Sequence, residues 1–185
     1  MPFSQWRPGT IAPSPVYFDA SFLVISFVSN DVRYQRVTTL MADLLVQGAE
    51  IQLSQLTISE SLWALAGISY KEINHLPGKA PWGPQHFYRN VEKIYQAHRP
   101  RMNAIHDMIR DWSSAGVRIR VLPNDVDALQ QVSQATSSYM YRFKMASADA
   151  AHLATAELEA KSLVTADRGF QTAGASKLDI LYFPQ

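Results

Sequence analysis

Four acidic residues, Asp19, Glu60, Asp149 and Asp167, stand where a folded chain could gather them. Asp19 ends the apolar run Val16-Tyr17-Phe18, and Asp167 closely follows Leu163-Val164-Thr165, so both sit at the ends of expected strands. Glu60 and Asp149 sit near the starts of expected helices. In a parallel α/β sheet, strand ends and the helix starts that follow them share one edge, where such folds bind ligands. Carboxylates meeting there repel one another unless a cation neutralises them. An all-oxygen donor set suits hard cations, so Mg²⁺ or Mn²⁺ is the expected cofactor. One or two such ions would activate a water and stabilise charge on a phosphate, which is the chemistry of phosphodiester hydrolysis.

Each acid also has an ordinary structural reading. Asp19 can cap the helix after it. Thr57-Ile58-Ser59-Glu60 fits a capping box, with Glu60 folding back onto the Thr57 amide. Asp149 in a first helical turn meets the dipole favourably. Asp167 can cap a short turn through Arg168, Gly169 and Phe170. Capping and metal binding are compatible, because one carboxylate oxygen can do each.

The elements that must position these residues follow from apolar spacing. Strands are expected at Val16 to Phe18, Ile51 to Leu53, Arg118 to Leu122, Leu163 to Thr165 and Ile180 to Phe183. Val117, Ile119 and Val121 share one side of the third. Helices are expected over Ala20 to Ser29, Val32 to Gln47 with Gly48 as C-cap, Thr57 to Tyr70, Asp125 to Ser137 and Ala146 to Lys161. Strands alternating with helices predict a parallel sheet of about five strands covered on both faces. Residues 1–15, with four prolines between Pro2 and Pro15, read as a flexible tail. Residues 16–185 read as a single domain. Lys71 to Ser114 breaks the alternation, as an insertion with a Pro-, Gly- and aromatic-rich loop and helix in two pieces, because Pro100 disfavours helical geometry at Arg99.

Bulk composition excludes several classes. At 185 residues the chain suits one ordinary domain. A net charge of +1 rules out a strongly basic overall field, so nucleic-acid binding must rest on a local patch. Without cysteine there are no disulfides and no thiolate zinc sites, which fits a reducing cytoplasm. No apolar run approaches the roughly 20 residues that cross a bilayer, and the first residues lack the order of a secretory signal. There is no Gly-rich run ending in Gly-Lys-Ser/Thr. Asp19-Ala20-Ser21 lacks the second Asp of aspartyl-phosphate phosphatases.

Asp19-Ala20-Ser21, Thr57-x-x-Glu60, Ser147-Ala148-Asp149-Ala150-Ala151-His152-Leu153-Ala154-Thr155-Ala156 and Leu163-Val164-Thr165-Ala166-Asp167-Arg168-Gly169-Phe170 follow in that order. Together they resemble the PIN-domain nucleases. The last two blocks resemble the VapC-like toxins of type II toxin–antitoxin pairs. The resemblance implies a doubly wound, three-layer α/β/α fold and divalent-metal-dependent cleavage of RNA. It also implies a homodimer and restraint by a small antitoxin. By it, Asp19, Glu60, Asp149 and Asp167 occupy the acidic positions, and Ser21 and Thr165 the nearby hydroxyl positions. The Lys71 to Ser114 segment departs from compact toxins.

His152, one turn beyond Asp149, either faces the site and a substrate phosphate or packs as a structural residue. Arg168 and Arg142 are candidate phosphate contacts or surface ion pairs. His75, His86, His98 and His106 lack metal-ligand spacing. Arg89, Lys93, Arg99, Arg101 and Arg110, interleaved with Phe87, Tyr88, Tyr95 and Trp112, form either an amphipathic helical face or an RNA-contact face. The leading function is an endoribonuclease toxin. The alternatives are a metal-dependent DNA nuclease and a catalytically silent PIN-like binding module.

Overall fold

The computed structural model describes residues 3–28, 31–122, 126–173 and 176–183. Among the described residues six strands form one all-parallel sheet: β1 (Ser4–Gln5), β2 (Val16–Phe18), β3 (Glu50–Ser54), β4 (Arg118–Leu122), β5 (Ser162–Thr165) and β6 (Asp179–Tyr182). Their spatial order is β1-β6-β5-β2-β3-β4. The helices are α1 (Ala20–Ile25), α2 (Tyr34–Val46), α3 (Gln55–Ile73), α4 (Pro84–Ser114), α5 (Val126–Phe143) and α6 (Ser147–Glu159).

Side-chain alternation along the strands explains the layers. Val16, Phe18, Val164 and Leu181 enter one core with Phe22 of α1 and Val37, Leu40 and Leu44 of α2. Tyr17, Leu163 and Ile180 enter a second core with Phe143 of α5 and Ala150, Leu153 and Ala156 of α6. Successive strand residues point to opposite faces, so each strand serves both cores. The fold is therefore α/β with both sheet faces covered, as expected.

The sheet has six strands, against the expected five or so, because the tail is not free. Ser4 and Gln5 pair with Leu181 and Tyr182 of β6. Trp6 is fully buried and its ring stacks on Phe183 at 5.0 Å, with the Arg36 guanidinium over both rings. The expectation of a flexible residue 1–15 segment is corrected over Phe3 to Trp6. Burial of one large aromatic anchors a segment whose prolines otherwise favour an open course.

Most expected elements are present with shifted ends. The helix expected to reach Ser29 ends at Ile25, and Ser29 lies outside the described residues. Asp125, the expected start of the fifth helix, and the side chain of Val121 also lie outside them. That helix runs on to Phe143, well past Ser137. Gly48 takes φ +62° just after α2, the left-handed geometry that ends helices.

The insertion is one continuous helix rather than two pieces. Pro100 lies inside α4, where a proline costs about 3 kcal/mol. Packing overrides that local preference. Ile94 and Ile105 are buried on either side of it, and Arg101 hydrogen-bonds Ser69 (2.6 Å) and Glu72 (2.8 and 2.7 Å) of α3. The preceding loop lays Trp82 over Gly67, where a Cβ would fall 2.9 Å from the indole ring. Among the described residues no helix is long and apolar enough to cross a membrane.

The corrected tail gives a direct expectation. Trp6→Ala should destabilise the protein by about 3–5 kcal/mol, the usual cost of deleting a buried tryptophan. Thermal melting should show it as a drop of roughly 2–4 °C per kcal/mol. An unchanged melting temperature would mean that the tail is free.

Candidate active site

The chain leaves the sheet centre in two directions, β2 to β3 to β4 on one side and β5 to β6 on the other. The switch point lies between β2 and β5, and a crevice opens beyond the carboxyl ends of strands arranged in this way. Asp19 follows β2 directly and Asp167 lies two residues beyond β5. The backbone joins the two loops, since the Asp19 N–H donates to the Val164 carbonyl at 3.3 Å. Asp149 in the first turn of α6 and Glu60 in the second turn of α3 complete the set.

Asp19 is buried and held from several sides. One oxygen accepts the Phe22 N–H (2.9 Å), capping α1 as expected. Thr165 Oγ1 donates to the other (2.6 Å), and Ser21 Oγ lies 2.9 and 2.8 Å from the two. The same hydroxyls tie down the β5 loop: Ser21 accepts the Ala166 N–H and Thr165 the Asp167 N–H, each at 2.9 Å. Thr165 is fully buried, so its role is to orient Asp19 rather than to touch a substrate. Asp167 accepts the Gly169 N–H at 2.7 Å, the turn-capping role read from sequence.

Glu60 is not the capping residue expected of it. The capping box of α3 is formed by Ser54 and Thr57, one turn earlier. That frees the Glu60 carboxylate, which meets His152 Nε2 at 2.8 Å. His152 Nδ1 lies 2.8 Å from the Tyr17 hydroxyl, which also contacts Ser54 Oγ (2.7 Å) and Thr57 Oγ1 (3.0 Å). Burial pushes the Tyr17 phenol far up from its ordinary value, so it keeps its proton. The imidazole thus bridges the Tyr17 hydroxyl on one side and the Glu60 carboxylate on the other. Both ring nitrogens of His152 are thus engaged and the residue is buried. Of its two sequence readings, substrate contact and structural packing, this placement fits the second, with His152 holding Glu60.

Sequence reading missed Tyr17 and Ser54 as parts of the site. A hydroxyl-bearing tyrosine in a three-residue apolar strand, two positions before an acid, was the available signal.

The electrostatics couple the four acids. The Asp149 carboxyl is raised from its ordinary value of 3.8 by burial and then by the charge on Asp167. His152 opposes the shift, while Asp19 and Glu60 add to it. Asp19 is raised by burial, against the pull of His152, Thr165, the Phe22 N–H and Ser21. Gly169 leaves room between two of them: a Cβ there would lie 3.2 Å from Asp167 Oδ1 and 3.4 Å from Asp149 Oδ2. Among the described residues no three His, Asp or Glu groups stand close enough to hold a metal as placed. Glu60 is drawn to His152 and Asp19 to its hydroxyls. The oxygen-only donors and the open cradle above Gly169 nonetheless suit a hard divalent cation.

No family model matches the chain, and no curated protein matches it. Among solved structures it is similar to the crystal structure of FitAcB from Neisseria gonorrhoeae. That likeness has 19% sequence identity and a TM-score of 0.46, over 90% of this chain and 96% of that one. It is also similar to a structure of FitAB bound to IR36 DNA fragment. There the identity is 20% and the TM-score 0.45, over 91% of this chain and 94% of that one.

Two clefts open beside the acids. One, of about 380 Å³, is lined by Ser21, Arg33, Ala166, Asp167, Arg168 and Tyr182. The other, of about 410 Å³, includes Ser21, Arg33 and Glu60. Arg168, expected near the acids, is there; its Nε donates to the Tyr182 hydroxyl at 3.1 Å. Arg142 instead lies over the Phe143 ring at 4.9 Å.

Both raised carboxyls bind their protons more tightly folded than unfolded. Their contribution to metal-free stability is full below the ordinary value of 3.8 and is lost as pH rises through the higher folded values. In EDTA, Asp149→Asn should therefore melt above the parent at pH 8, with the gap closing towards pH 4. A variant less stable than the parent at both pH values would refute the electrostatic crowding.

Proposed function

We propose that the chain is a Mg²⁺- or Mn²⁺-dependent endoribonuclease, the toxin of a toxin–antitoxin pair. The observation that carries the catalytic part is the crowding at Asp149. Burial and three neighbouring carboxylates at the sheet's switch point all disfavour its charge. Such an arrangement is costly in the free protein and is relieved by a cation. The toxin part, with its small antitoxin partner and homodimer, rests on the resemblance of the Asp149 and Asp167 sequence blocks.

Asp149 and Asp167, facing the space above Gly169, would hold the ion, with Asp19 and Glu60 joining directly or through water. A bound divalent ion would supply an activated water and charge stabilisation at the scissile phosphate. The chain's own residues do the rest. Ser21 and Thr165 fix the Asp19 carboxylate against the β5 loop, so the Asp19–Asp167 spacing is set by short hydrogen bonds. Tyr17 and His152 hold Glu60 at the rim with its charge partly balanced. Arg168 and Ser21 line the neighbouring cleft, where the substrate strand would lie.

The test is cleavage of a labelled oligoribonucleotide by the purified protein with Mn²⁺, beside matched DNA. Parental protein should cut RNA and be inert in EDTA. Asp149→Asn, a change of charge at nearly constant volume, should lower the rate by about 10²-fold or more, the scale of losing one preorganised electrostatic partner. Cleavage at the parental rate by that variant would overturn the reading, and cleavage of DNA alone would change the substrate.

A further inference from the structure

The cleft beside the acids carries two arginines whose side chains are already fixed. Arg33, in the turn before α2, donates Nε and Nη2 to the two oxygens of Asp31, at 2.8 and 2.6 Å. That pairing uses one edge of the guanidinium. The Nη1/Nη2 edge has no protein acceptor among the described residues. Arg168, which lines the same cleft, gives Nε to the Tyr182 hydroxyl and lies over that ring, 5.8 Å from its centre. Its two terminal nitrogens have no protein acceptor among the described residues. Both arginines line the cleft with Ser21 and Asp167, and are thus next to two residues of the acidic crevice.

We propose that Arg33 and Arg168 form a clamp for a backbone phosphate of the substrate strand, one that flanks the bond cut at the acids. The inference rests on the nuclease reading for the chemistry next door. To Arg168, already a candidate phosphate contact, it adds Arg33, which motif spacing did not mark, and joins the two in one site. A planar fork with one edge anchored presents the other edge at little further entropic cost. Phosphate oxygens match that fork two at a time. Lysine offers no such second edge. Tyr182 serves Arg168 as Asp31 serves Arg33, holding the guanidinium without fully neutralising its hydrogen-bond capacity. The clamp reads phosphate and not sugar, so it would supply position along the strand rather than sequence choice.

The test measures binding of a fluorescein-labelled oligoribonucleotide to the full chain by anisotropy, in EDTA, across a salt series. Arg168→Gln, at an exposed position, should weaken binding about tenfold, the scale of one charge-assisted contact. It should also flatten the slope of log Kd against log salt by about 0.7, the value for one single-strand phosphate contact. Arg33→Gln should do the same, and Arg33→Lys should restore the slope but only part of the affinity. Should Arg33→Gln fail to fold, Arg168→Gln and Arg33→Lys carry the test. A matched DNA strand should show the same arginine dependence.

Affinity and salt slope unchanged in Arg168→Gln would overturn the clamp, whatever the cleavage result. Arginine-dependent binding by a parental protein that does not cut with Mn²⁺ would uphold the clamp and overturn the nuclease reading instead.

Discussion

Four carboxylates drawn towards one crevice set the terms for the rest of the molecule. Two like charges about 5 Å apart repel by roughly 3 kcal/mol at an effective dielectric near 20. Each neighbour therefore matters to a domain whose whole stability is on the order of 5–15 kcal/mol. The parallel sheet causes this crowding. Because β2 and β5 are adjacent but run on to opposite sides, their ends open onto the same gap. The fold thus tolerates a local penalty at the place where a cation could remove it.

The surrounding contacts keep that penalty bearable without a cation. Asp19 has its buried oxygens satisfied by two hydroxyls and one backbone N–H. Asp167 is satisfied by the Gly169 N–H. Glu60 stands at the outer end of a chain from Tyr17 through His152, which shares its charge with a ring nitrogen. Asp149 has no comparable support among the described hydrogen bonds, while burial and then the charge on Asp167 raise its carboxyl. It is accordingly the residue most exposed to the demand for a counter-charge.

What could be read in the sequence was what local pattern controls. Asp19, Asp149 and Asp167 are tied to a strand end, a first helical turn and a short cap, and those signals span a few residues each. The partner of Glu60 could not be read, because His152 lies 92 positions away and meets it only when α3 and α6 are placed on the sheet. The capping box was misplaced by one turn because Ser54 and Thr57 both carry cap-forming hydroxyls. Strand β1 is two residues long and pairs with the far end of the chain, so no periodicity announces it. Pro100 obeyed no local rule, since burial of Ile94 and Ile105 and the grip of Arg101 on α3 outweigh it. Arg33 drew no notice because its value depends on a cleft formed with Arg168 and Tyr182 from the other end of the sequence.

Calorimetric titration of Mn²⁺ into the metal-free protein tests whether these acids form one cation site, without requiring an RNA target. Saturable binding to the parent is expected, weakened by about tenfold or more in Asp149→Asn and likewise in Asp167→Asn. Absence of saturable binding, or equal affinity in the parent and both variants, would contradict such a site.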